Sequence, residues 1–552
     1  MSSQSTKQKQ TAPPPQLPDN WDRCHAYNEK KRRYCRQMPA ANQIYCGNHF
    51  HLIEEGVCMR KRGSDDVVEP SSDDTKRNSK KRKDRGARIP CPIDPSHMIF
   101  ESALAKHVLV CPAAMERKET CSREYYKEGT NLGGFGDLGD EGKNSDVGRD
   151  GDETTTDLAM AQQLALAVLR VFCSLFPSAV AKSNDQKKQG ISSDDDLSRD
   201  ILVRITEEDI YNALPEVDLS SAEEGIAKDI AKHRVKAGGP RHLHQLQSIL
   251  GHVRRNGLIY EANDSEHWVI EMGAGRGMLG LVTAGAMGAA QTQTTTASSS
   301  KVKLYLVERS GTRGKAETKI RTATGDASQD NDDSLRLDRV EVSRIKCDLA
   351  HVHMSTALPF LEESGKRRSI VVAKHLCGAG TDLALKSLRD IARSGAVDGC
   401  VMATCCHGLC NWKDYVGRDS FLELFRGIGG LSTFSGSDFD QLRRWTSASV
   451  LEDSDHPRSA VAANDDDDEH NIGVKSQNIY VVVKQLGLAC GGKGLGRACQ
   501  RLIDYGRTEY IRKHLFHRSS ADRDCITADV SLCHYCSSDV TPQNALIVAK
   551  RG

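Results

Sequence analysis

Residues 268–280 constrain the fold of this chain more than any other stretch. The apolar run Trp268–Ile270 ends at an acid, Glu271, and the helix-compatible segment Met278–Ala290 follows shortly after. Three glycines occupy alternate positions between them: Gly273, Gly275 and Gly277. Glycine lets the backbone adopt conformations that a Cβ atom would forbid, and it lets a ligand lie against the main chain. The stretch therefore predicts a strand, a tight glycine turn and a helix at a ligand site.

The glycine loop indicates a nucleoside cofactor. A dinucleotide-binding loop places its third glycine three residues after the second, where this chain has Met278. An acid at the strand end followed by alternate glycines instead resembles the first motif of S-adenosylmethionine-dependent methyltransferases. A second apolar strand, Lys303–Val307, ends at Glu308, where a nucleoside-binding fold places a carboxylate for the ribose hydroxyls. The interval between the two acids is long because it contains Gln291–Ser300, whose Gln/Thr/Ala/Ser composition is typical of an inserted loop.

Composition limits how much of the 552 residues can fold. Four stretches are rich in Gly, Ser, Asp and Lys and poor in large apolar residues: 129–156, 182–196, 322–334 and 452–471. Such segments cannot bury enough apolar surface to offset the entropy lost on ordering, so we expect them to be disordered. The net charge is only +1, but Lys76–Arg88 carries eight basic residues against one Asp. This run is typical of a solvated linker and also of a phosphate-binding or nuclear-import segment.

Several features favour an intracellular location, in the nucleus, the cytoplasm or both. The N-terminal residues are rich in Ser, Gln and Pro and lack the apolar core of a signal peptide. The most apolar helix candidate, Leu158–Phe176, contains Gln162, Gln163 and Arg170, so we expect no membrane span there. The 19 cysteines indicate metal ligation or reduced thiols rather than disulfides.

A first metal module is predicted near the N-terminus. Three cysteines and a histidine follow a C-x10-C-x10-C-x2-H pattern: Cys24, Cys35, Cys46 and His49. The segment is rich in Lys, Arg and Tyr and contains no candidate core. Four soft ligands in such a segment are typical of a tetrahedral zinc site, where metal binding supplies the folding free energy. His51 and Cys58 are substitute ligands.

A second metal module follows a C-x5-H-x9-H-x3-C pattern: Cys91, His97, His107 and Cys111. Three prolines, at 90, 92 and 95, restrict the backbone around the first ligand. Phe100–Leu109 has helical spacing, which would place His107 and Cys111 on one face of a helical turn. The sequence therefore predicts two zinc ions per chain.

After residue 251, short apolar runs alternate with helical segments. Strands are predicted at 267–271, 303–307, 344–347, 369–373 and 399–403, and helices at 313–321 and 381–393. This alternation is typical of an α/β fold with a doubly wound parallel sheet. Ligands bind such sheets beyond the carboxyl ends of the strands, and a polar group directly follows each of the five: Glu271, Glu308, Asp348, Lys374-His375 and Thr404–His407. We therefore expect one shared site.

Five motifs together resemble one family. The C-C-C-H set, the C-H-H-C finger, Glu-Met-Gly-Ala-Gly-Arg-Gly, Ala-Lys-His-Leu-Cys-Gly (373–378) and Ala-Thr-Cys-Cys-His (403–407) occur in this order. The order resembles that of the eukaryotic tRNA ribose 2′-O-methyltransferases that modify the fourth nucleotide of the acceptor stem. In that family a second histidine follows Thr-Cys-Cys-His, whereas this chain has Gly408.

The resemblance implies a Rossmann-like fold, S-adenosyl-L-methionine as cofactor and tRNA as partner, with no DNA substrate and no membrane. Glu271 and the loop of Gly273, Gly275 and Gly277 would hold the methionine end of the cofactor, Glu308 its ribose and Asp348 its adenine edge. A ribose 2′-hydroxyl is a weak acid, so its attack on the methyl group needs a base or a nearby cation. We predict Lys374 in this role, with His375 and His407 as further candidates.

The resemblance also implies a domain layout. Residues 19–58 would form the CCCH-type module, 59–87 a basic linker and 88–115 the CHHC finger. Residues 129–200 would be a largely disordered linker with a helix at 157–176. Residues 201–552 would form the methyltransferase domain, with disordered insertions near 291–300, 322–334 and 452–471.

Three alternatives remain at this stage. A cysteine nucleophile at Cys377 or Cys405 would indicate cytosine-C5 methylation, although no Pro-Cys pair follows the fourth strand. A third metal could be held by Cys405, Cys406, His407 and Cys410, although their spacing is too tight for a standard zinc knuckle. The chain could also be a non-catalytic, zinc-finger RNA-binding adaptor, although such a protein would be expected to lose the glycine loop or its acids.

Overall fold

The computed structural model describes residues 27–28, 33–34, 88–95, 97–133, 153–180, 198–232, 239–260, 266–292, 301–309, 315–323, 335–358, 367–450, 478–516 and 528–552. The chain divides into two units, residues 1–85 and 86–552. In the first unit, strands β1 (Tyr27–Asn28) and β2 (Arg33–Tyr34) pair in antiparallel fashion. The ligands predicted for the first metal module, Cys24, Cys35, Cys46 and His49, lie outside the described residues, so that site stays a prediction.

The second unit begins with a small finger. Strands β3 (Arg88–Pro90) and β4 (Met98–Phe100) pair in antiparallel fashion. Helices α1 (Leu104–Val110) and α2 (Pro112–Cys121) follow, and Pro112 starts α2 at a position where its missing N–H is not needed. The finger core consists of little more than Ile99 and two buried cysteines, too small a core to stabilise a fold without further support.

The large body is built on a seven-stranded mixed sheet in the order β7-β6-β5-β8-β9-β11-β10. The strands β5 to β9 are parallel, and β10 and β11 are antiparallel to their neighbours. Their bounds are β5 Glu266–Met272, β6 Val302–Glu308, β7 Val340–Lys346, β8 Arg367–Cys377, β9 Gly399–Cys405, β10 Asp529–His534 and β11 Ala545–Lys550. The predicted α/β class is confirmed. Strand β7 starts four residues earlier than predicted because its polar residues obscure the alternation at this sheet edge.

Helices cover both faces of the sheet. On one face, α7 and α8 pack against Val269, Leu304 and Val372, and on the other α11 packs against Val371 and Met402. Alternate residues of each strand enter the two cores, which explains why the strands are apolar throughout. The helices after the finger are α3 Glu153–Leu175, α4 Arg199–Leu202, α5 Glu207–Asn212, α6 Gly225–Lys232, α7 Pro240–Arg255, α8 Met278–Thr292, α9 Lys315–Ala323, α10 Met354–Ala357, α11 Gly380–Arg393, α12 Arg418–Gly427, α13 Gly436–Trp445, α14 Ile479–Leu486 and α15 Gly491–Tyr510.

Helix α3 corrects one prediction. The helix predicted at 157–176 is present as Glu153–Leu175. It does not lie in a disordered linker, however, because Leu164, Val168 and Phe172 are fully or almost fully buried in a third core that α12 to α15 share. By length and composition alone Leu158–Leu175 could cross a membrane. Its apolar side chains instead find partners more than 240 residues later in the chain, which local composition could not reveal.

A second correction concerns the residues after the finger. The predicted disordered stretch began at residue 129, yet residues 125–133 are hydrogen-bonded to the segment that follows β7. The Lys127 amide donates to the His351 carbonyl at 2.8 Å, and the Asn131 side chain donates to the carbonyls of Leu349 and Val352 at 2.7 and 2.8 Å. These hydrogen bonds join the finger to the large body, and Tyr125 and Tyr126 in the same segment pack against its core.

Candidate functional site

The glycine loop between β5 and α8 is held from the neighbouring strand. The amide of Gly275 donates to Oε2 of Glu308, the last residue of β6, at 2.8 Å. Gly273 and Gly275 have φ values of +62° and +50°, a region that favours glycine. A Cβ atom at Gly273 would lie 2.3 Å from Leu376, whereas at Gly275 it would meet open space. Gly275 therefore borders the space where a ligand could lie.

Glu271 lies beneath this loop rather than facing that space. Its side chain is almost fully buried, and its Oε2 accepts the amide of Gly280 at 2.8 Å. Burial raises the pKa of Glu271 to about 8, although the Gly280 amide and the cation of Arg344 oppose the shift. The carboxyl thus holds the start of α8 against the end of β5. The prediction that Glu271 contacts the methionine end of the cofactor therefore becomes one of indirect support, through the loop above it.

A cavity of about 500 Å³ opens at the carboxyl ends of the parallel strands. Gly273, Glu308, Asp348 and His375, which the sequence analysis singled out, line it together with Cys377. Apolar surface is supplied by Val307, Leu349, Leu376 and Leu383. The cavity therefore combines carboxylates with apolar walls, as a nucleoside requires.

Asp348 lies in the segment after β7, which is hydrogen-bonded to the residues that follow the finger. Its Oδ1 accepts the amide of Ala350 at 3.0 Å, and its Oδ2 lies 3.8 Å from Nη1 of Arg309. Because the residues next to it, Leu349 and Ala350, accept hydrogen bonds from Asn131, the rim of the cavity is attached to the segment that leads from the finger.

At the end of β8, the chain bulges. The register of β8 against β9 shifts by one residue between Lys374 and Leu376, and His375 within the bulge has a φ of +65°. A left-handed conformation in a non-glycine residue is strained and persists only where its surroundings impose it. The ring of His375 is exposed, lines the cavity and lies 6.3 Å from the ring of His242 on α7.

Lys374 lies in the same strand end but on the sheet face of Glu271. Burial lowers the pKa of Lys374 to about 8, and the neighbouring groups Glu271 and Cys536 oppose the shift. Within the part of the chain that the structure describes, its ammonium makes no hydrogen bond or ion pair. Lys374 is not among the residues that line the cavity, although the adjacent His375 is. A half-buried amine without a fixed partner can interact with a substrate that approaches this strand end.

At the end of β9, the predicted catalytic candidate His407 is buried. Its Nε2 lies 2.9 Å from Oδ1 of Asp504, and the other oxygen of Asp504 accepts the Thr404 hydroxyl at 2.9 Å. Nη1 of Arg507 donates to Asp504 at 3.1 Å. Burial alone would raise the pKa of Asp504, but His407 and the neighbouring arginines lower it to about 2. The structure therefore does not bring His407 to the cavity with His375.

The partners of His407 were missed by sequence reasoning. Asp504 and Arg507 lie one helical turn apart on α15, and Arg507 also donates to Asp382 at the start of α11 at 2.8 Å. The sequence does contain one sign of this network: two charged residues lie three positions apart on a helix that is otherwise buried. Buried charges require paired partners, so such a pair indicates a buried ionic network.

The cysteines near these strand ends do not form the set of four that was considered as an alternative metal site. His407 is bound to Asp504, and the sulfur of Cys410 accepts a hydrogen bond from Arg507 at 3.1 Å. Cys405 and Cys406 instead approach Cys377 of β8. Burial raises the pKa of Cys405, so in the absence of a metal ion its thiol is protonated at neutral pH and poorly suited to act as a nucleophile.

The finger brings its four predicted ligands together. The sulfurs of Cys91 and Cys111 are 3.8 Å apart, and Nε2 of His97 lies 3.0 Å from Nε2 of His107. Four donor atoms at these separations match the tetrahedral geometry of a zinc site. On its other nitrogen, His97 faces Asp94 at 3.3 Å, the arrangement by which a carboxylate orients a ligating imidazole.

Comparisons with known proteins agree with this arrangement of two metal modules and an α/β domain. A family model described as Methyltransferase TRM13 matches residues 244–550. Two zinc-finger models match further upstream, a CCCH zinc finger in TRM13 protein at residues 22–49 and a U11-48K-like CHHC zinc finger at residues 88–112.

Related proteins align over most of their length. A tRNA:m(4)X modification enzyme TRM13 homolog from Mus musculus is 25% identical over 547 residues, which cover 90% of this chain and 89% of the mouse protein. The Homo sapiens homolog is 24% identical, with 90% of both chains covered. The tRNA:m(4)X modification enzyme TRM13 of Saccharomyces cerevisiae is 23% identical, with 96% of both chains covered.

The fold and these matches define the class: the chain is an enzyme, a methyltransferase that carries two zinc finger domains at its N-terminal side. Since the family model covers more than half of the 552 residues, the chain belongs to the Methyltransferase TRM13 family. The resemblance found in the sequence is thereby confirmed at the level of the family.

Proposed function

We propose that this enzyme transfers a methyl group from S-adenosyl-L-methionine to the ribose 2′-hydroxyl of the fourth acceptor-stem nucleotide of tRNA. The observation that carries the proposal is the cavity at the ends of β5, β6, β7 and β8, which places Glu308 and Asp348 beside a glycine loop and next to His375. The relatives named tRNA:m(4)X modification enzymes support the choice of tRNA.

The cavity residues suit the cofactor. The glycine loop leaves open space at Gly275, Glu308 is fixed by the loop amide, and Asp348 lies at the next strand end. Glu308 would accept the ribose hydroxyls, Asp348 would bind the adenine edge, and the loop of Gly273, Gly275 and Gly277 would hold the methionine end with Glu271 supporting it from below. S-Adenosyl-L-methionine supplies an electrophilic methyl group at its sulfonium. The sheet order fits a doubly wound, Rossmann-like fold, in which ligands bind at these strand ends.

The chain's own task is to align the acceptor hydroxyl and deal with its proton. Lys374 has its pKa lowered to about 8, so both the neutral amine and the ammonium are accessible near neutral pH. As an amine it can take the proton, and as an ammonium it can stabilise the alkoxide. His375 projects from the bulge into the cavity and would position the ribose. His407 is assigned no contact with substrate because Asp504 holds it in the interior.

The zinc fingers and the basic run Lys76–Arg88 would add affinity for the RNA backbone. Lysine and arginine contacts to phosphates carry no sequence information but position the nucleic acid. In the CHHC finger, Cys91, His97, His107 and Cys111 would hold one Zn2+, and in the CCCH finger the ligands would be those predicted from the sequence. We also propose that the enzyme works inside the cell, where tRNA is modified.

A single substitution in the substrate tests the proposal. A tRNA transcript with a 2′-deoxyribose at nucleotide 4 should bind with nearly unchanged affinity but accept no methyl group, because only the 2′-hydroxyl is removed. The measurement is transfer of radiolabel from S-adenosyl-L-methionine, with a transcript deoxy-substituted at nucleotide 3 as the control.

One observation favours a second candidate, cytosine-C5 methylation: Cys377 lines the cavity and is exposed. If the transcript deoxy-substituted at nucleotide 4 is fully methylated, the ribose proposal is wrong. Cys377→Ser should then abolish transfer, whereas under the ribose proposal the same variant retains it.

A further inference from the structure

Three cysteine sulfurs converge at the wall of the cavity. Cys377 ends β8, Cys405 ends β9, and Cys406 follows directly; their Sγ atoms all lie within 4.8 Å of one another. The sulfurs of Cys377 and Cys405 are 3.7 Å apart. Ligands about 2.3 Å from a tetrahedral zinc ion lie about 3.8 Å from each other, so this separation matches two thiolates that share one ion.

The bulge in β8 is what places the first two sulfurs opposite each other. Up to Lys374, each residue of β8 pairs with the residue 29 positions later in β9, as in Ile370 with Gly399. After the bulge at His375 the pairing shifts by one, and Cys377 pairs directly with Cys405. Without the shift Cys377 would face Cys406, and its side chain would point to the other face of the sheet.

The conformation of Cys406 brings in the third sulfur. In an extended strand, consecutive side chains point to opposite faces, so Cys406 would point away from Cys405. Its φ is instead +50°, and its amide donates to Oε1 of Gln543 at 2.9 Å. His375 and Cys406 are the non-glycine residues with positive φ among those the structure describes. Both strained residues thus contribute to collecting the three thiols, and strain of this kind is concentrated at functional sites.

We propose that Cys377, Cys405 and Cys406 form a third metal site, which takes one soft divalent cation, Zn2+. Thiolates are the ligands that zinc prefers, and three protein ligands leave one coordination position open. Because Cys377 lines the cavity, the ion lies at its wall. The site shares no ligand with either zinc finger, and the proposal rests on this geometry alone, not on the reaction proposed above.

Metal counting on the full chain tests the site. Wild-type protein, Cys377→Ser and the control Cys121→Ser are loaded with Zn2+, freed of loosely bound metal by gel filtration, and measured by elemental analysis and native mass spectrometry. Cys121 is also an exposed thiol but lies on α2, away from the cluster. We expect Cys377→Ser to hold one Zn2+ fewer than wild type, and Cys121→Ser to match wild type. Equal counts in all three proteins would overturn the proposal.

A second measurement needs no variant. Cys377 is exposed, so iodoacetamide should alkylate it in metal-free protein, and Zn2+ should protect it at least tenfold. Labelling is read by peptide mass spectrometry, with Cys121 as the internal reference. Equal labelling of Cys377 with and without Zn2+, or a Cys377–Cys405 disulfide as the cause of protection, would overturn the metal site.

Discussion

The ends of β8 and β9 lie side by side and carry similar residues, but the end of β8 faces the cavity and the end of β9 is tied to the protein interior. Each has a histidine near its carboxyl end: His375 lies within the last residues of β8, and His407 lies two residues after β9. His375 lies in a bulge, is exposed and faces the cavity. His407 is buried and held by Asp504 of α15. The neighbouring Lys374 has no fixed partner among the described residues, whereas Arg507 behind β9 is paired with two carboxylates.

The comparison shows that position at a strand end does not by itself make a residue catalytic. A histidine that has a buried carboxylate partner fixes a loop to the core, and one in a strained bulge without such a partner is available to a ligand. Whether the histidine at a strand end can reach a ligand depends on what packs against that strand end. The end of β9 packs against α15, which contributes Asp504 and Arg507, whereas the end of β8 borders the cavity.

The largest effect should come from breaking the network behind β9. Asp504→Ala would leave His407, Arg507 and the Thr404 hydroxyl without their shared partner. Removing one member of a buried ionic network costs roughly 3–5 kcal/mol of unfolding free energy. Denaturant unfolding measures it. Asp390→Ala is the control, because the exposed Asp390 pairs with Arg389 near the surface and loss of such a pair should leave the midpoint nearly unchanged. If Asp504→Ala is folded and stable but cannot transfer methyl groups, His407 and Asp504 are catalytic, and the structural role assigned to them here is wrong.

The second-largest effect is expected for Lys374→Ala. If Lys374 stabilises the alkoxide or takes its proton, the single-turnover rate at saturating tRNA should fall by roughly 100-fold. Affinity for the methyl donor should stay unchanged, because Glu308 and Asp348 lie on other strand ends. Lys346→Ala, an exposed lysine that pairs with Glu116 on the finger side, serves as the control and should keep its rate. A wild-type rate for Lys374→Ala would leave His375 as the better candidate.

The pH dependence of that rate separates the two roles of Lys374. Burial lowers the pKa of Lys374 to about 8. As a general base it must be neutral, so the rate should rise with pH and level off above about 8. As a cation it must be protonated, so the rate should fall above about 8. The titrating groups that face it are Glu271, Cys536 and His375, so the same profile of Glu271→Gln should show a shifted midpoint but the same direction.

A smaller effect is expected in the finger. Asp94→Ala should lower the zinc affinity of the CHHC site by roughly 10- to 100-fold, because the carboxylate orients His97. Competition with a chelator measures it. Glu101→Ala, an exposed acid in the same finger, is the matched control. Equal affinity in both variants would mean that His97 needs no support from Asp94.

Sequence reasoning succeeded where local pattern determines structure. Apolar runs that end in Glu271 and Glu308 could be placed at the ends of β5 and β6, and the C-H-H-C spacing gave four residues whose donor atoms converge. It failed where distant segments meet. Asp504 reaches His407 across 97 residues, and α3 finds its partners at the far end of the chain.

The bulge at His375 was also beyond prediction. It depends on how β8 and β9 pair, and the bulge position is occupied by His375 rather than by the glycine that would normally mark a left-handed position. The convergence of Cys377 with Cys405 and Cys406 follows from that bulge. The chain alone shows only proximity in sequence, so the alternative set that it offered, Cys405, Cys406, His407 and Cys410, does not assemble.

The central claim is that the methyl donor binds in the cavity against the glycine loop, and calorimetric binding of S-adenosyl-L-methionine to Gly275→Val tests it most directly. Gly395→Val is the matched control, because Gly395 also has a positive φ and open space around its Cβ position but lies after α11, away from the cavity. We expect wild type and Gly395→Val to bind with similar affinity, and Gly275→Val to lose binding because the side chain occupies the space of the ligand. Undiminished binding to a folded Gly275→Val protein would contradict the account.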